Sequence, residues 1–152
     1  MTADDRAAAV VEPPRPAPDK LTEPLWQALA QHKLLIQRCN ACGHYIHWPK
    51  PVCRFCLGLD LAPAEVSGHA TLYSYTVVNQ AFHPYYVDKV PYLLATVELA
   101  EQPKLMFFTR LTDCSEESIE IGMEMEVVYE DAAPGLTLPL FRPVGAAARS
   151  KP

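Results

Sequence analysis

Cys39-Asn40-Ala41-Cys42 and Cys53-Arg54-Phe55-Cys56 are the residues of this chain best suited to coordination chemistry. A Cys-x-x-Cys pair curls so that both sulfurs face one centre. Two such pairs separated by a short gap offer four thiolates to one tetrahedral ion, with bonds of about 2.3 Å for zinc. A closed shell of four protein ligands leaves no position for a reacting water, so the ion would be structural. Iron in a rubredoxin-type site fits the same sulfurs, although the spacing favours zinc. A thioredoxin-type redox pair needs only one such motif, and no strand-then-helix pattern follows either pair.

Other reactive side chains are less well placed. His44 and His47 lie close to the cysteines, but a complete four-sulfur set needs no further ligand. Cys114 is the spare thiol, beside Asp113 and with no evident base. Glu116 and Glu117 are adjacent, so their side chains diverge, and Ser74 lacks an activating context. No residue is therefore assigned a catalytic role. Phe82-His83-Pro84-Tyr85-Tyr86 stands out for a different reason. An aromatic loop is costly to leave in water, so it either lines a ligand channel or partner contact, or closes the end of a barrel.

These residues need a scaffold. At 152 residues the chain is one domain, or one with a small appended module. Residues 1–20 are rich in proline and alanine without apolar periodicity and read as a disordered leader, not a signal peptide. Residues 21–37 form a helical segment and the entry to the ribbon. Thr22 can cap a short helix, with Glu23 and Pro24 in its first turn. Leu25, Trp26, Leu29 and Ala30 follow helical spacing to about Gln31, and Trp26 faces either the core or a partner. Residues 38–62 form a zinc ribbon, entered by the strand Lys33 to Arg38 and continued by the returning segment His44 to Pro49.

Residues 63–143 carry short strands with period-two patterning. Thr71, Tyr73, Tyr75 and Val77 share one face of the first, and Leu93, Ala95, Val97 and Leu99 one face of the second. Leu105, Phe107, Thr109 and Leu111 alternate in the third, and Met123, Met125, Val127 and Tyr129 in the fourth. A last strand covers Leu136 to Arg142. The architecture is mainly β: a short helix, a four-cysteine ribbon and a five-stranded barrel. Residues 144–152 read as a disordered tail.

Charge narrows the partners. The net charge of −5 disfavours a dedicated nucleic-acid binder. From Pro24 to Leu59 the only charges are Lys33, Arg38, Lys50 and Arg54; from Asp60 to Asp131 thirteen acids meet only Lys89, Lys104 and Arg110. No stretch reaches the roughly 20 apolar residues of a membrane span. With five cysteines, an odd number, the usage fits a reducing, cytoplasmic setting.

The order of Cys39, Cys42, Cys53, Cys56, the run Tyr75-Thr76-Val77-Val78, Ile121-Gly122 and Phe141-Arg142-Pro143 resembles the DUF35 family, over about Leu21 to Pro143. The resemblance implies a rubredoxin-like zinc ribbon followed by an OB-fold. It also implies an accessory role. Members pair with thiolase-fold or lipid-transfer-protein-like enzymes, which carry the catalytic residues of acyl transfer or of retro-aldol cleavage of steroid side chains. On that reading the chain binds a coenzyme A thioester, stabilises its partner in a hetero-oligomer, and is no enzyme alone. The turn Glu101-Gln102-Pro103 departs from the glycine often found there, and the leader is long.

Coenzyme A carries phosphates and an adenine, which call for cations and a stacking plane. Lys33, Arg38, Lys50 and Arg54 supply charge, and Tyr45 and Trp48 supply rings. Trp26, Phe82, His83, Tyr85 and Tyr86 are the expected pantetheine-channel or partner residues. The alternative is a single-stranded nucleic-acid module with Tyr73 and Tyr75 as stacking platforms, although an acidic barrel tracks phosphates poorly.

Overall fold

A computed structural model describes residues 11–146. Residues 1–10 and 147–152, which include half of the expected leader and most of the expected tail, lie outside the described residues. The chain at 11–19 has no regular secondary structure, yet Pro13 is buried and the Arg15 guanidinium donates to the Pro134 carbonyl at 3.1 Å.

Helix α1 (Glu23–Leu29) buries Leu25, Ala28 and Leu29, the face set by their spacing. Thr22 occupies the cap position, but its side chain makes no capping bond. The expectation of a Thr22 cap is corrected: the Asp19 carboxylate accepts from the Leu21 and Thr22 amides at 3.0 and 2.8 Å and from the Thr22 hydroxyl at 2.8 Å. Those hydrogen bonds hold the Asp19 carboxyl below its usual pKa, the Thr22 hydroxyl contributing most.

The ribbon sheet has three strands in the order β2-β1-β3: β1 (Leu35–Cys39), β2 (Tyr45–Ile46) and β3 (Leu61–Glu65). The returning strand is thus shorter than His44 to Pro49. The third strand was not expected, because Pro63 sits in its middle. It is tolerated because β3 is an edge strand, where a missing N–H costs no ladder bond.

The barrel orders its strands β6-β5-β4-β7-β8: β4 (His69–Val78), β5 (Tyr92–Leu99), β6 (Met106–Arg110), β7 (Glu124–Ala133) and β8 (Leu136–Pro143). A parallel bridge between Leu111 and Phe141 draws β6 towards β8. In β5 and β6 the expected inward residues are all buried, and Met125 and Phe141 are fully so. In β4 the expected face is corrected. A bulge between Leu72 and Ser74 inserts one residue and reverses the phase of the strand. Leu72 is buried instead of Thr71, Tyr73 is 57% exposed, and only beyond the bulge do Tyr75 and Val77 pack inward. Gly68 precedes β4 at φ +78°, and a Cβ there would collide with the Val127 side chain.

One apolar core runs from Leu25, Leu29, Leu34 and Ile36 into the barrel, while Cys39, Ile46 and Cys53 form a separate small cluster. The modules are also joined by a side-chain hook. The Gln102 carbonyl accepts from the Tyr45 amide at 2.8 Å, and its amide donates to the Tyr45 carbonyl at 3.2 Å. Among the described residues no helix is long and apolar enough to cross a membrane.

Candidate metal centre and apolar groove

β1 delivers Cys39 at its end, and the turn that follows returns Cys42. Gly43 at φ +77° allows that tight turn, its amide donating to the Cys39 carbonyl at 2.8 Å. The second knuckle repeats the device, the Leu57 amide donating to the Cys53 carbonyl at 2.9 Å. All four sulfurs lie within 4.8 Å of one another, and Cys39–Cys56 and Cys42–Cys53 are each 3.6 Å apart. A tetrahedron of Zn–S bonds of about 2.3 Å has S···S edges of about 3.8 Å, so the four thiolates fit such an ion. The Phe55 amide also points at Cys53 Sγ at 3.4 Å, which is how thiolate charge is stabilised in such knuckles. His44 and His47 are not among the ligating set; His44 stacks on Phe55 at 4.1 Å.

A second feature lies at the seam of helix, ribbon and barrel. Leu25, Trp26 and Leu29 of α1, Trp48 of the ribbon, and Tyr92, Leu94, Phe107, Phe108, Arg110 and Leu138 to Leu140 of the barrel line a groove of about 270 Å³, with Tyr86 at its rim. Phe108 and Trp48 remain 64% and 53% exposed. The one cation in this wall, Arg110, is held by Glu130 at 2.8 Å, so the groove presents little net charge. Burial pushes the Tyr86 phenol up, with Arg110 opposing, so it stays a neutral hydrogen-bonding group. Behind the wall His47 packs on Trp48 and Phe107 at 4.5 and 4.8 Å, and burial lowers its pKa to about 4. It is neutral at pH 7.

The structure brings Trp26, Trp48 and Tyr86 together at this groove. Tyr85 packs edge-on against Tyr86 at 5.1 Å, under Lys89 at 3.6 Å. His83 Nδ1 accepts from the Tyr85 amide at 3.2 Å and so caps the 3₁₀ turn Pro84–Tyr86, while Phe82 is 83% exposed. The expected cations have separate surroundings. Lys33 pairs with Glu65 at 3.6 Å. Arg38 donates to the Gly43 carbonyl at 3.0 Å and lies over the Tyr45 ring at 5.3 Å. Arg54 lies over Phe55 at 4.8 Å, and Lys50, exposed, is fixed through its backbone to Gln37. Sequence reasoning missed Phe108 and Arg110. The signal was present: with Phe107 and Thr109 inward, Phe108 had to be a large apolar residue on an outward position.

Comparison with known proteins agrees with this geometry. The family model described as the ChsH2 rubredoxin-like zinc ribbon domain matches residues 26–62, and that of the ChsH2 C-terminal OB-fold domain matches residues 64–130. A DUF35 domain-containing scaffold protein of Methanothermobacter thermautotrophicus is 31% identical over 106 residues, 68% of this chain and 77% of that protein. The chain belongs to the DUF35 family. A probable enoyl-CoA hydratase alpha subunit of Thermomonospora curvata is 39% identical over 130 residues. That alignment covers 86% of this DUF35 chain but 40% of the longer relative. Among solved structures, a chain of an Ltp2-ChsH2(DUF35) aldolase superposes with a TM-score of 0.78 at 38% identity, covering 85% of this chain and 98% of that one. A DUF35 protein of unknown function from Sulfolobus solfataricus shares the fold at 15% identity and a TM-score of 0.58.

Proposed function

We propose that this chain is a non-catalytic accessory subunit that positions an acyl-CoA and stabilises a thiolase-fold partner, with zinc as a structural ion. The observation that carries this reading is the seam groove. It is apolar, nearly uncharged, and built by three elements at once, so it can accept the acyl end of a ligand where a second protein also docks. Its volume of about 270 Å³ lies just below the roughly 300 Å³ at which small-molecule sites begin. It therefore suits part of a ligand rather than a whole coenzyme. The phosphates need cations that the groove does not offer, and Arg38, Lys50 and Arg54 of the ribbon can supply them. The names of the relatives, a scaffold protein and an aldolase made with Ltp2, support an assembly role.

Co-expression with a thiolase-fold enzyme, followed by size-exclusion chromatography and an acyl-CoA turnover assay, tests this. Co-elution, with turnover only in the complex, is expected, and Phe108→Glu should abolish one or both. Charge reversal at Lys50 and Arg54 should weaken acyl-CoA binding; unchanged affinity would reject the placement of the phosphates. Turnover by the isolated chain at the rate of the complex would overturn the accessory role.

A further inference from the structure

A second cavity, of about 240 Å³, lies between the start of α1 and the ribbon sheet. Its walls are mainly apolar, with Leu21 and Leu25 from the helix end, Leu35 and Ile36 from β1, and Leu61 and Pro63 from β3. Among the described residues no carboxylate lines it. Three polar side chains do: Lys20, Gln37 and His47.

Two of these have hydrogen-bonding capacity to spare. Gln37 Oε1 accepts from the Lys50 amide at 2.8 Å, which leaves the Gln37 –NH₂ without a partner among the described residues. The half-buried His47 ring stacks on Trp48 and Phe107, and neither of its nitrogens bonds to a described residue. A neutral imidazole offers one N–H donor and one acceptor. Polar groups withdrawn from water are stabilised by pairing. An apolar cleft equipped in this way fits a secondary amide on an aliphatic chain, with donors for its carbonyl and an acceptor for its N–H.

The position of the cleft narrows the ligand further. Leu25 lines both the cleft and the seam groove, and His47 lines the cleft while its ring lies against Trp48 and Phe107 of the groove wall. Towards the ribbon cations, Gln37 holds the main chain of Lys50, and Pro49 beside it lines the cleft. A ligand with its acyl end in the groove and its phosphates on Lys50 and Arg54 has its middle here. In a coenzyme A thioester that middle is the pantetheine arm, an uncharged aliphatic chain interrupted by secondary amides.

We propose that this cleft holds the pantetheine arm, with His47 and the Gln37 amide as its hydrogen-bonding partners. The inference rests on the acyl-CoA role and moves the arm away from the aromatic loop 82–86, none of which lines the cleft.

The zinc-loaded chain in complex with a thiolase-fold enzyme tests it, with two probes: acyl-CoA, and adenosine 3′,5′-bisphosphate, which is the nucleotide end without the arm. His47→Phe keeps a stacked ring and removes both nitrogens. It should weaken acyl-CoA binding about tenfold and leave bisphosphate binding, zinc content and co-elution unchanged. Leu59→Ser on the ribbon should alter none of these. In the wild-type chain labelled with ¹⁵N at histidine, pantetheine alone should shift the His47 ring signals and leave those of His69 on β4 in place. Equal acyl-CoA affinity in wild type and His47→Phe would overturn the placement of the arm and leave the acyl-CoA role standing. So would an equal loss of bisphosphate binding, or His47 ring signals indifferent to pantetheine. Loss of co-elution in His47→Phe would overturn it too, by giving the cleft to a segment of the partner enzyme. A wild-type complex that binds no acyl-CoA would overturn the role and the placement together.

Discussion

The ribbon and the barrel solve the same problem by different means. The ribbon has strands of two to five residues and buries little of its own beyond Cys39, Ile46 and Cys53. A module that small does not hold itself by apolar burial and relies on metal coordination. The barrel has strands of five to ten residues, and Leu72, Val97, Leu99, Met125 and Phe141 are at most 1% exposed. Its stability comes from close-packed apolar side chains. The order of the ribbon therefore depends on free metal and on thiolate chemistry, while that of the barrel does not. The groove is built from both, so its shape inherits the weaker of the two dependences.

The strongest way to break this comparison is to remove the metal. Zinc–thiolate binding in small modules is worth on the order of 10 kcal/mol, so Cys53→Ser or chelation should disorder the ribbon. Hydrogen exchange should then be fast across Leu35–Cys39 and remain slow across Tyr92–Leu99. Simultaneous loss of both would show that the barrel has no independent core. Phe141→Ala tests the other half. Truncating this fully buried ring should cost about 3–5 kcal/mol in denaturant unfolding of the barrel. Native protein of this variant should still carry its zinc.

The seam gives two finer tests. His47 has a folded pKa near 4 against an ordinary 6.5, so below pH 6.5 the unfolded chain binds the proton more readily. This contribution is complete above pH 6.5, is lost as the pH falls towards 4, and totals up to about 3 kcal/mol. The slope should flatten in His47→Phe, which keeps the stacking. Smallest of all, Gln102→Ala should cost about 1–2 kcal/mol by leaving two main-chain groups of Tyr45 without partners. Amide shifts should move at Tyr45 and in the groove, and little elsewhere.

Much of this architecture was legible in the sequence, because spacing and alternation encode it directly. The four sulfurs converge as Cys-x-x-Cys pairs must, and β5 and β6 bury the residues their alternation assigns. What was not legible depends on contacts between distant segments. Pro63 concealed β3, since its position on an edge is a property of the sheet and not of the local sequence. The bulge in β4 reversed the phase of Thr71 and Tyr73, and no single residue there announces an inserted position. Asp19 took the capping role because its carboxylate reaches over from outside the helix. The groove joins residues from Leu25 to Leu140, so only the two tryptophans and the aromatic loop hinted at it.

The Gln102 hook grips only main-chain atoms of the ribbon. Evolution can therefore vary the side chain at position 45 and keep the joint, whereas position 102 admits few replacements. Residue-by-residue mutational scanning should find the two ends of this one contact unequal in tolerance, with the exacting end in the barrel.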